Sequence, residues 1–310
     1  MSAKDPGDTP NFDPDPNLKV WLNGDLVSTA DAKLSIFEHG LLYGDGIFEG
    51  IRSYNGQIFA VEGHLKRFFE SARALMIELP YSFEELSQSL SSTLEANGLL
   101  IPEKDAYIRL VATRGVGLLG MSPTRAGRPN VFVIGMPLGI YRKEVYEQGM
   151  SAIISSVTRN QPNALPPRIK SLNYLNNILA KIESHQAGVD EAIMLNHQGY
   201  VAEATADNVF VVRHGQLQTP PTSAGILEGI TRGHVIRLAR EMGIEVVEKN
   251  LERVDLYIAE EAFLTGTAAE IVPLTEVDRR RINTGQVGPI TKDLMAAYTR
   301  LVRGDAAPPA

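Results

Sequence analysis

Lys170 is the residue whose sequence surroundings best suit the chemistry of a reactive amine. It lies between the proline pair 166–167 and the predicted start of a helix at Ser171. The adjacent Arg168 and the positive end of that helix both disfavour a protonated amine, so we expect a lysine that is nucleophilic near neutral pH, as a Schiff base requires. By spacing alone, an exposed lysine that merely precedes a helix is the simpler interpretation.

Three other segments supply groups that complement such an amine. Gly229-Ile230-Thr231 precedes a predicted helix, so its free backbone amides and the threonine hydroxyl suit a phosphate. Gly266-Thr267-Ala268 follows a predicted strand, where a turn offers further amides to an anion. Glu203 is a lone carboxylate in a strand-like run; facing inward, it requires a cation such as a protonated pyridine nitrogen. Helix capping, turn formation and an exposed strand residue are the ordinary alternatives, but together these groups match the needs of a pyridoxal 5'-phosphate site.

Other motifs lead to weaker hypotheses. The segment 115–120 fits G-x-G-x-x-G, but Met121-Ser122-Pro123 follows it instead of a helix. No Asp or Glu occurs between Gly120 and Glu144 to bind a ribose hydroxyl. We therefore interpret it as a flexible glycine loop. The six histidines never fall in a metal-ligand spacing, so no metal site is predicted, and neither a G-x-S-x-G elbow nor a P-loop is present.

Composition narrows the classes of partner. The 310 residues carry a formal net charge of −7 with no long run of Lys or Arg, which makes nucleic acid and anionic membranes poor partners. No apolar stretch approaches the ~20 residues needed to span a bilayer. The absence of cysteine excludes disulfides, thiolate metal sites and cysteine nucleophiles, and it fits a cytoplasmic location.

The pattern of apolar residues predicts the elements that must position these groups. Turns at Asn23-Gly24 and Asn55-Gly56 indicate two hairpins. Helical periodicity covers 61–75, 83–96, 171–186, 231–242 and 291–302, and strand-like runs cover 106–113, 130–136, 152–157, 191–195, 199–212 and 261–265. We predict an α/β (α+β) chain with a small domain at 18–136, an interdomain loop at 137–146 and a larger domain at 147–302. The ends, 1–17 and 303–310, are predicted to be disordered tails.

Four long motifs in order carry a family resemblance. The chain resembles branched-chain amino-acid aminotransferases of the class IV, fold-type IV group of pyridoxal-phosphate enzymes from about Leu18 to Val302. This resemblance implies a small N-terminal α/β domain and a larger C-terminal pseudo-barrel domain. It also implies ping-pong transfer of an amino group between leucine, isoleucine or valine and 2-oxoglutarate. The motifs are YGDGIFEGIR at 43–52, IKSLNYL at 169–175, LEGITR at 227–232 and FLTGTAAE at 263–270.

The resemblance implies a role for each matching position around the cofactor. Lys170 would form the Schiff base and then move the proton from the substrate Cα. Glu203 would pair with the pyridine nitrogen, and Tyr174 would hydrogen-bond the phenolic oxygen. The phosphate would be held by Arg67, Gly229, Ile230, Thr231, Gly266 and Thr267.

The substrate side is implied in the same way. Tyr107 and the amides of Thr267 and Ala268 would receive the α-carboxylate. An apolar pocket would be lined by Phe48, Tyr43, Tyr141 and Tyr174, and the distant carboxylate of glutamate would be bound by Arg109 with Tyr43 and Tyr141. In the family the loop 117–121 and the Tyr43 segment reach toward a neighbouring subunit, which implies a homodimer or a higher homo-oligomer.

The chain departs from the family pattern in two places. Leu138 stands where bacterial members often have Trp, which would widen the pocket, and Ala204 and Ala206 stand where glycines are usual, which would tighten it. D-amino-acid transaminases have a similar lysine segment, but their early motif usually lacks the run FEGIR, and (R)-amine transaminases also differ in that stretch. Aminodeoxychorismate lyase is the alternative from another reaction class, because it releases pyruvate without transferring an amino group.

Overall fold

The computed structural model describes residues 15–137 and 143–304, and these form two β-sheets with helices packed on them. The first sheet has the strand order β2-β1-β6-β5-β3-β4, and every neighbouring pair is antiparallel. Its strands are β1 (Lys19–Leu22), β2 (Asp25–Ser28), β3 (Gly46–Tyr54), β4 (Gln57–Ile58), β5 (Ala106–Thr113) and β6 (Asn130–Pro137). The short helix α1 (His39–Tyr43) precedes β3.

Two helices, α2 (Val61–Ala74) and α3 (Phe83–Ala96), cover one face of this sheet. Leu65 and Phe68 of α2 and Leu90 of α3 are fully buried against Ile47 and Ile51 of β3, in one apolar cluster. Alternate residues of a strand face opposite sides, so Phe48, Gly50 and Arg52 project from the other face of β3. That other face is the one that contributes to the site.

The second sheet has the order β12-β11-β10-β13-β14-β7-β8-β9, with β15 paired to β14. Its strands are β7 (Met150–Ile154), β8 (Glu191–Leu195), β9 (Val201–Ala204), β10 (Asn208–Arg213), β11 (Gln216–Thr219), β12 (Val246–Glu248), β13 (Glu261–Gly266), β14 (Glu270–Val277) and β15 (Arg280–Arg281). The helices around it are α4 (Lys143–Gln148), α5 (Leu175–Ala187), α6 (Ile230–Glu241), α7 (Arg253–Tyr257) and α8 (Pro289–Arg303). This mixture of two sheets and flanking helices confirms the predicted α/β class.

Most predicted elements are confirmed within a few residues, and the hairpins at Asn23-Gly24 and Asn55-Gly56 turn where expected, with both asparagines at positive φ. The single strand predicted at 199–212 is wrong. It is two strands, β9 and β10, separated by Thr205-Ala206-Asp207, where the Ala204 amide donates to the Asp207 carbonyl. The segment 205–207 has no Gly or Pro, and the Asp207-Asn208 pair is the local turn signal that the strand prediction passed over.

Three boundaries also differ from the prediction. The helix expected from Ser171 begins at Leu175. Part of the expected loop 137–146 is helical, because α4 begins at Lys143. Arg303 is the last residue of α8 rather than part of a tail, and the ion pair between its guanidinium and Asp105 holds this helix end. Residues 1–14, 138–142 and 305–310, including Leu138 and Tyr141, lie outside the described residues.

The apolar side of α5 does not face a core in this chain. Leu175, Ile178, Leu179 and Ile182 are 46–68% exposed, whereas Asn177, Ala180 and Ser184 face inward.

Within residues 15–137 and 143–304, no helix is long and apolar enough to cross a membrane.

Candidate active site

A cavity of about 220 Å³ lies between the two sheets and contains Lys170. It brings together residues from both sheets and from the segment between them, and most of the residues predicted on the substrate side are among them. Its lining is Phe48, Gly50, Tyr107, Arg109, Lys170, Tyr174, Ala206, Asp207, Thr267, Ala268 and Ala269.

Strand β3 holds the backbone of the lysine segment. The Phe48 amide donates to the Lys170 carbonyl at 3.0 Å, and the Leu172 amide donates to the Gly46 carbonyl at 2.9 Å. The Lys170 Nζ lies 3.4 Å from the Tyr174 hydroxyl and 4.6 Å from the centre of the Phe48 ring. The amine is therefore presented to the cavity between two aromatic side chains.

Arg168 does not act as the sequence suggested. Its side chain is 67% exposed and pairs with Glu228 at 3.3 Å, at the surface. The helix terminus expected directly after Lys170 is also displaced, because α5 begins at Leu175. The side chains beside the amine are instead Tyr174, four residues later in the chain, and Phe48, which the pairing of the lysine segment with β3 brings to it.

The buried carboxylate of Glu203 accepts hydrogen bonds from three donors. Its Oε1 accepts from Arg159 Nε at 2.8 Å, and its Oε2 accepts from Asn208 Nδ2 at 3.1 Å and from the Leu227 amide at 3.0 Å. Burial raises the pKa of Glu203, and Arg159 opposes that rise. A carboxylate offers about four lone-pair positions, so three donors leave one position for a ring N–H. Sequence reasoning missed Arg159, because nothing in its local pattern marks a residue 44 positions from its partner.

Arg67 on α2 is fixed by a buried carboxylate. Its Nε and Nη2 donate to the two oxygens of Glu49 at 2.7 and 2.8 Å, and its Nη1 donates to the Glu228 carbonyl at 2.6 Å. His64 Nδ1 lies 2.8 Å from the same Glu49 carboxylate. The guanidinium is thus held beside residue 229, where α6 begins.

The charges of this cluster balance. Burial alone would raise the pKa of Glu49, but Arg67 and His64 outweigh it and lower that pKa to about 2. Burial lowers the pKa of His64, although Glu49 opposes the change. The histidine is therefore neutral at neutral pH, and the cluster consists of one cation and one anion. Neither Glu49 nor His64 was identified as a functional residue from the sequence.

The start of α6 leaves backbone amides free. Gly229 caps the helix without any side-chain hydrogen bond, and Thr231 is buried in its first turn. A Cβ on Gly229 would lie 2.0 Å from Asn208 Oδ1, so only glycine fits. Free amides at a helix N-terminus favour an anion.

The opposite wall comes from β3 and β5, where the ladder pairs Gly50 with Arg109. The Arg109 guanidinium carbon lies 4.3 Å from the Phe48 ring centre. A Cβ on Gly50 would lie 2.2 Å from the Tyr107 hydroxyl oxygen, so glycine makes room for that hydroxyl. Burial raises the pKa of Tyr107, which keeps the group protonated as a donor.

Asp207 is a buried acid on the cavity wall that sequence reasoning also missed. Its side chain lies against Gly266, where a Cβ would approach Oδ1 to 1.9 Å. Burial and the nearby Glu191 raise the pKa of Asp207 to about 7, while Lys181 and Lys170 oppose the rise. Asp207 therefore changes charge near neutral pH, at the edge of the Gly266-Thr267 turn.

Tyr43 does not line the cavity of its own chain. Its hydroxyl accepts from the Gly120 amide at 2.9 Å, and its ring packs on His39. Its role in a pocket therefore stays a prediction that needs a second subunit. Ala206 lies on the cavity wall, as its place in the sequence implied, while Ala204 is buried in β9.

Comparison with known proteins places this cavity in a family context. The sequence model of amino-transferase class IV matches residues 46–277. The chain is 52% identical over 281 residues to a putative branched-chain-amino-acid aminotransferase of Methanocaldococcus jannaschii, covering 91% of this chain and 95% of that protein. It is 38% identical over 293 residues to the branched-chain-amino-acid aminotransferase of Escherichia coli K12, covering 92% and 93%.

Solved structures agree with those matches. The branched-chain aminotransferase of Thermoproteus uzoniensis with norvaline superposes with a TM-score of 0.86 at 40% identity, covering 93% of this chain and 96% of that one. The branched-chain amino acid aminotransferase of Thermobaculum terrenum in its PLP form superposes with a TM-score of 0.84 at 36% identity, covering 94% and 95%. At 36–40% sequence identity over more than nine-tenths of the chain, the similarity is one of family and not of fold alone.

Proposed function

This chain belongs to the class IV aminotransferase family, and we propose that it moves the amino group between branched-chain L-amino acids and 2-oxoglutarate by a ping-pong mechanism. The observation that carries the proposal is the single cavity in which Lys170 faces Tyr107, Arg109 and the Thr267-Ala268 turn. An amine, a carboxylate site and an apolar wall with one cation are the groups that both substrates require.

The residues present fit pyridoxal 5'-phosphate. The α6 N-terminus has no side-chain cap and lies beside the Arg67 guanidinium, whose Nη1 bonds the Glu228 carbonyl. Arg67, Gly229, Ile230, Thr231, Gly266 and Thr267 would hold the phosphate, Glu203 the ring nitrogen and Tyr174 the phenolic oxygen. The bound cofactor supplies an aldehyde that condenses with amines and a ring that accepts electrons.

The protein's own groups bind the substrate and move the proton. Tyr107 and the amides of Thr267 and Ala268 bind the α-carboxylate, which orients the Cα–H bond toward the lysine. Lys170 Nζ removes the proton at Cα, and the Tyr174 hydroxyl at 3.4 Å positions that nitrogen.

One pocket serves two kinds of side chain. Phe48 and Tyr174 offer ring faces to an aliphatic side chain, and their centres lie 5.1 Å apart. Arg109 rests on the Phe48 ring when no second carboxylate is bound and pairs with the distant carboxylate of glutamate when that substrate enters. Tyr43 and Tyr141 would complete this wall.

The test uses the cofactor absorbance and a half-reaction panel. Purified protein should show a lysine-linked cofactor band that Lys170→Ala abolishes and that the exposed control Lys292→Ala retains. L-Leucine should discharge this band faster than (R)-1-phenylethylamine, because the Thr267-Ala268 turn binds the α-carboxylate that the amine lacks. It should also react faster than D-alanine, because its larger aliphatic side chain packs on Phe48 and Tyr174. A band that survives Lys170→Ala refutes the lysine assignment, and a dominant D-alanine rate refutes the specificity.

A homodimer is part of the proposal. Ile36, Leu41, Leu118, Leu119 and Met121 are 67–84% exposed and form one apolar surface, in which the Gly117 amide donates to the Phe37 carbonyl at 3.1 Å. An exposed apolar surface of this kind marks an interface between proteins. Covering it with a second copy would also place Tyr43 near a neighbouring cavity.

Two substitutions test the assembly. Leu118→Glu with Leu119→Glu should lower the mass measured by light scattering, while the same pair of charges at exposed Arg237 and Arg240 should not. An unchanged mass would refute this surface as the interface.

The absence of cysteine still favours a cytoplasmic location, which cell fractionation would check.

A further inference from the structure

Arg52 is a buried cation to which the proposed mechanism gives no part. It ends the motif 43–52, lies opposite Tyr107 in the β3–β5 ladder and is only 6% exposed. A buried guanidinium requires anionic or carbonyl partners. Its partners therefore indicate what the residue does.

Those partners lie in the second sheet, on the turn that carries the carboxylate site. Arg52 Nη1 donates to the Ala268 carbonyl at 3.2 Å and pairs with Glu270 Oε1 at 2.7 Å. The turn joins β13 to β14, and the ladder closes it where Gly266 pairs with Glu270. One side chain of the first sheet thus contacts the three-residue turn at Ala268 and the strand residue that follows it, Glu270.

The turn needs an external support. Glu270 has a φ of +60°, a left-handed conformation that is unfavourable for a residue with a Cβ. The contact to the Ala268 carbonyl fixes the peptide plane that follows Ala268, and the contact to the Glu270 carboxylate fixes the residue where β14 begins. Both contacts support the turn whose residues Thr267 and Ala268 lie on the cavity wall.

Arg52 acts by position rather than by its charge. Asp105 lies 3.7 Å from its Nη2, so Asp105 and Glu270 offset the charges of Arg52 and of Arg303, which pairs with Asp105 on the other side. Among the described residues, Arg52 is not part of the cavity lining. Tyr146 adds a second contact, since its hydroxyl donates to the Ala269 carbonyl at 3.3 Å.

We propose that Arg52 is a positioning residue that holds the Thr267–Ala268 turn in the conformation that binds the substrate carboxylate. This inference rests on the proposed function, because it takes that turn as the carboxylate site. It predicts that loss of Arg52 weakens only those ligands that carry a carboxylate. Cofactor loading and amine binding should be retained.

The experiment compares three ligands of matched shape on the cofactor-loaded enzyme. L-Leucine has both groups, 3-methylbutylamine lacks the carboxylate, and 4-methylvaleric acid lacks the amine. Absorbance titrations should show that Arg52→Met weakens leucine and 4-methylvaleric acid by about tenfold or more, while 3-methylbutylamine changes less than about twofold. Arg52→Lys should give a smaller loss, because one ammonium cannot reach both the carbonyl and Glu270.

Matched controls separate position from general damage. Arg303→Met removes a guanidinium of the same ion-pair network that does not touch the turn, and it should leave all three ligands unchanged. Glu270→Gln keeps the Arg52 side chain but removes the charge of one of its partners, so it should reproduce part of the selective loss. Equal weakening of the amine and the acids, or no weakening in any Arg52 variant, overturns the inference.

The proposed function fails differently. If the wild-type protein shows no lysine-linked band or no response to leucine, the aminotransferase proposal itself is wrong. If wild type responds and the Arg52 variants keep the ratio between leucine and 3-methylbutylamine, only the role of Arg52 is wrong. A melting temperature measured for each variant confirms that the compared proteins are folded.

Discussion

Two proposed anion-binding regions, the start of α6 beside Arg67 and the Thr267-Ala268 turn on the wall of the Lys170 cavity, are built in different ways. At the phosphate side, Arg67 is locked by a bidentate contact to Glu49, and both residues are at least nine-tenths buried. At the carboxylate side, the Thr267-Ala268 turn is half-buried and depends on Arg52 from the other sheet. The region proposed for the cofactor phosphate is held by a buried ion pair, whereas the region proposed for the substrate carboxylate is a turn that a side chain of the other sheet supports.

Alternation along β3 produces both arrangements. Glu49 points to the face covered by α2, where it meets Arg67 and His64. Arg52, three residues later, points to the opposite face and meets the turn. One strand thus supports the two regions from its two faces. In each region a glutamate offsets the charge of the arginine. The position of a bound anion is therefore expected to depend mainly on the backbone amides.

The largest expected effect is on the buried pair at the phosphate side. Glu49→Gln leaves Arg67 buried without its anion and should lower the free energy of unfolding by roughly 3 kcal/mol. Urea unfolding of the variant and of wild type measures this difference. Glu241→Gln, which removes a surface partner of Arg237, should change stability by less than about 0.5 kcal/mol. A similar loss in both variants would show that the two arginine pairs are equivalent.

The next effect concerns the far end of the substrate site. Arg109→Leu should lower kcat/KM for glutamate about 100-fold, because the distant carboxylate loses its charged partner in a desolvated pocket. For leucine the change should stay within about threefold, since an apolar wall remains. Steady-state kinetics with both amino donors measures the ratio. Equal losses would assign Arg109 to the α-carboxylate instead.

A smaller effect follows from the buried acid between the regions. The pKa of Asp207 is raised by burial to about 7, above its ordinary value of 3.8. For a raised acid, stability is full below the unfolded pKa and is lost as pH rises through the folded pKa. Wild type should therefore lose roughly 2 kcal/mol between pH 5 and pH 8 that Asp207→Asn does not lose. Glu191, Lys181, Lys170 and Glu203 are the charged neighbours that set this pKa.

Unfolding measured at both pH values checks this expectation. Asp293→Asn, at an exposed position of α8, serves as the control and should keep the wild-type slope. An identical slope in Asp207→Asn and wild type would mean that the cavity wall carries no titrating acid. That result would leave the carboxylate side without a pH-sensitive neighbour.

The smallest expected effect concerns Arg168, two positions before Lys170. Arg168→Met removes an exposed surface pair and should change cofactor affinity and kcat/KM by less than about twofold. The reason is that Arg168 meets Glu228 at the surface rather than the phosphate or the amine. Cofactor titration and kinetics measure both quantities. A change of tenfold or more would restore the role that its place in the sequence suggested.

Local patterns were sufficient for a large part of the fold. The Asn-Gly pairs predict both hairpins because a two-residue turn with positive φ favours those residues. The apolar period in 61–75 predicts α2 because one face of that helix must be buried. The turn inside 199–212 was not predicted, because Thr205-Ala206-Asp207 has no glycine or proline and the Asp207-Asn208 pair is a weaker turn signal within a run of apolar and β-branched residues.

The sequence by itself determined which residues to propose for the site, namely Lys170, Glu203 and the segments with free amides, because four long motifs in order carry the family resemblance. The local argument from Arg168 and an adjacent helix terminus was wrong, since Arg168 pairs with Glu228 at the surface and α5 begins at Leu175. Only the tertiary structure decided which partners those groups meet. Arg159 reaches Glu203, Glu49 reaches Arg67, and Arg52 reaches a carbonyl 216 residues away. Such pairs depend on how two sheets pack, and periodicity reports that a face is buried without reporting what covers it.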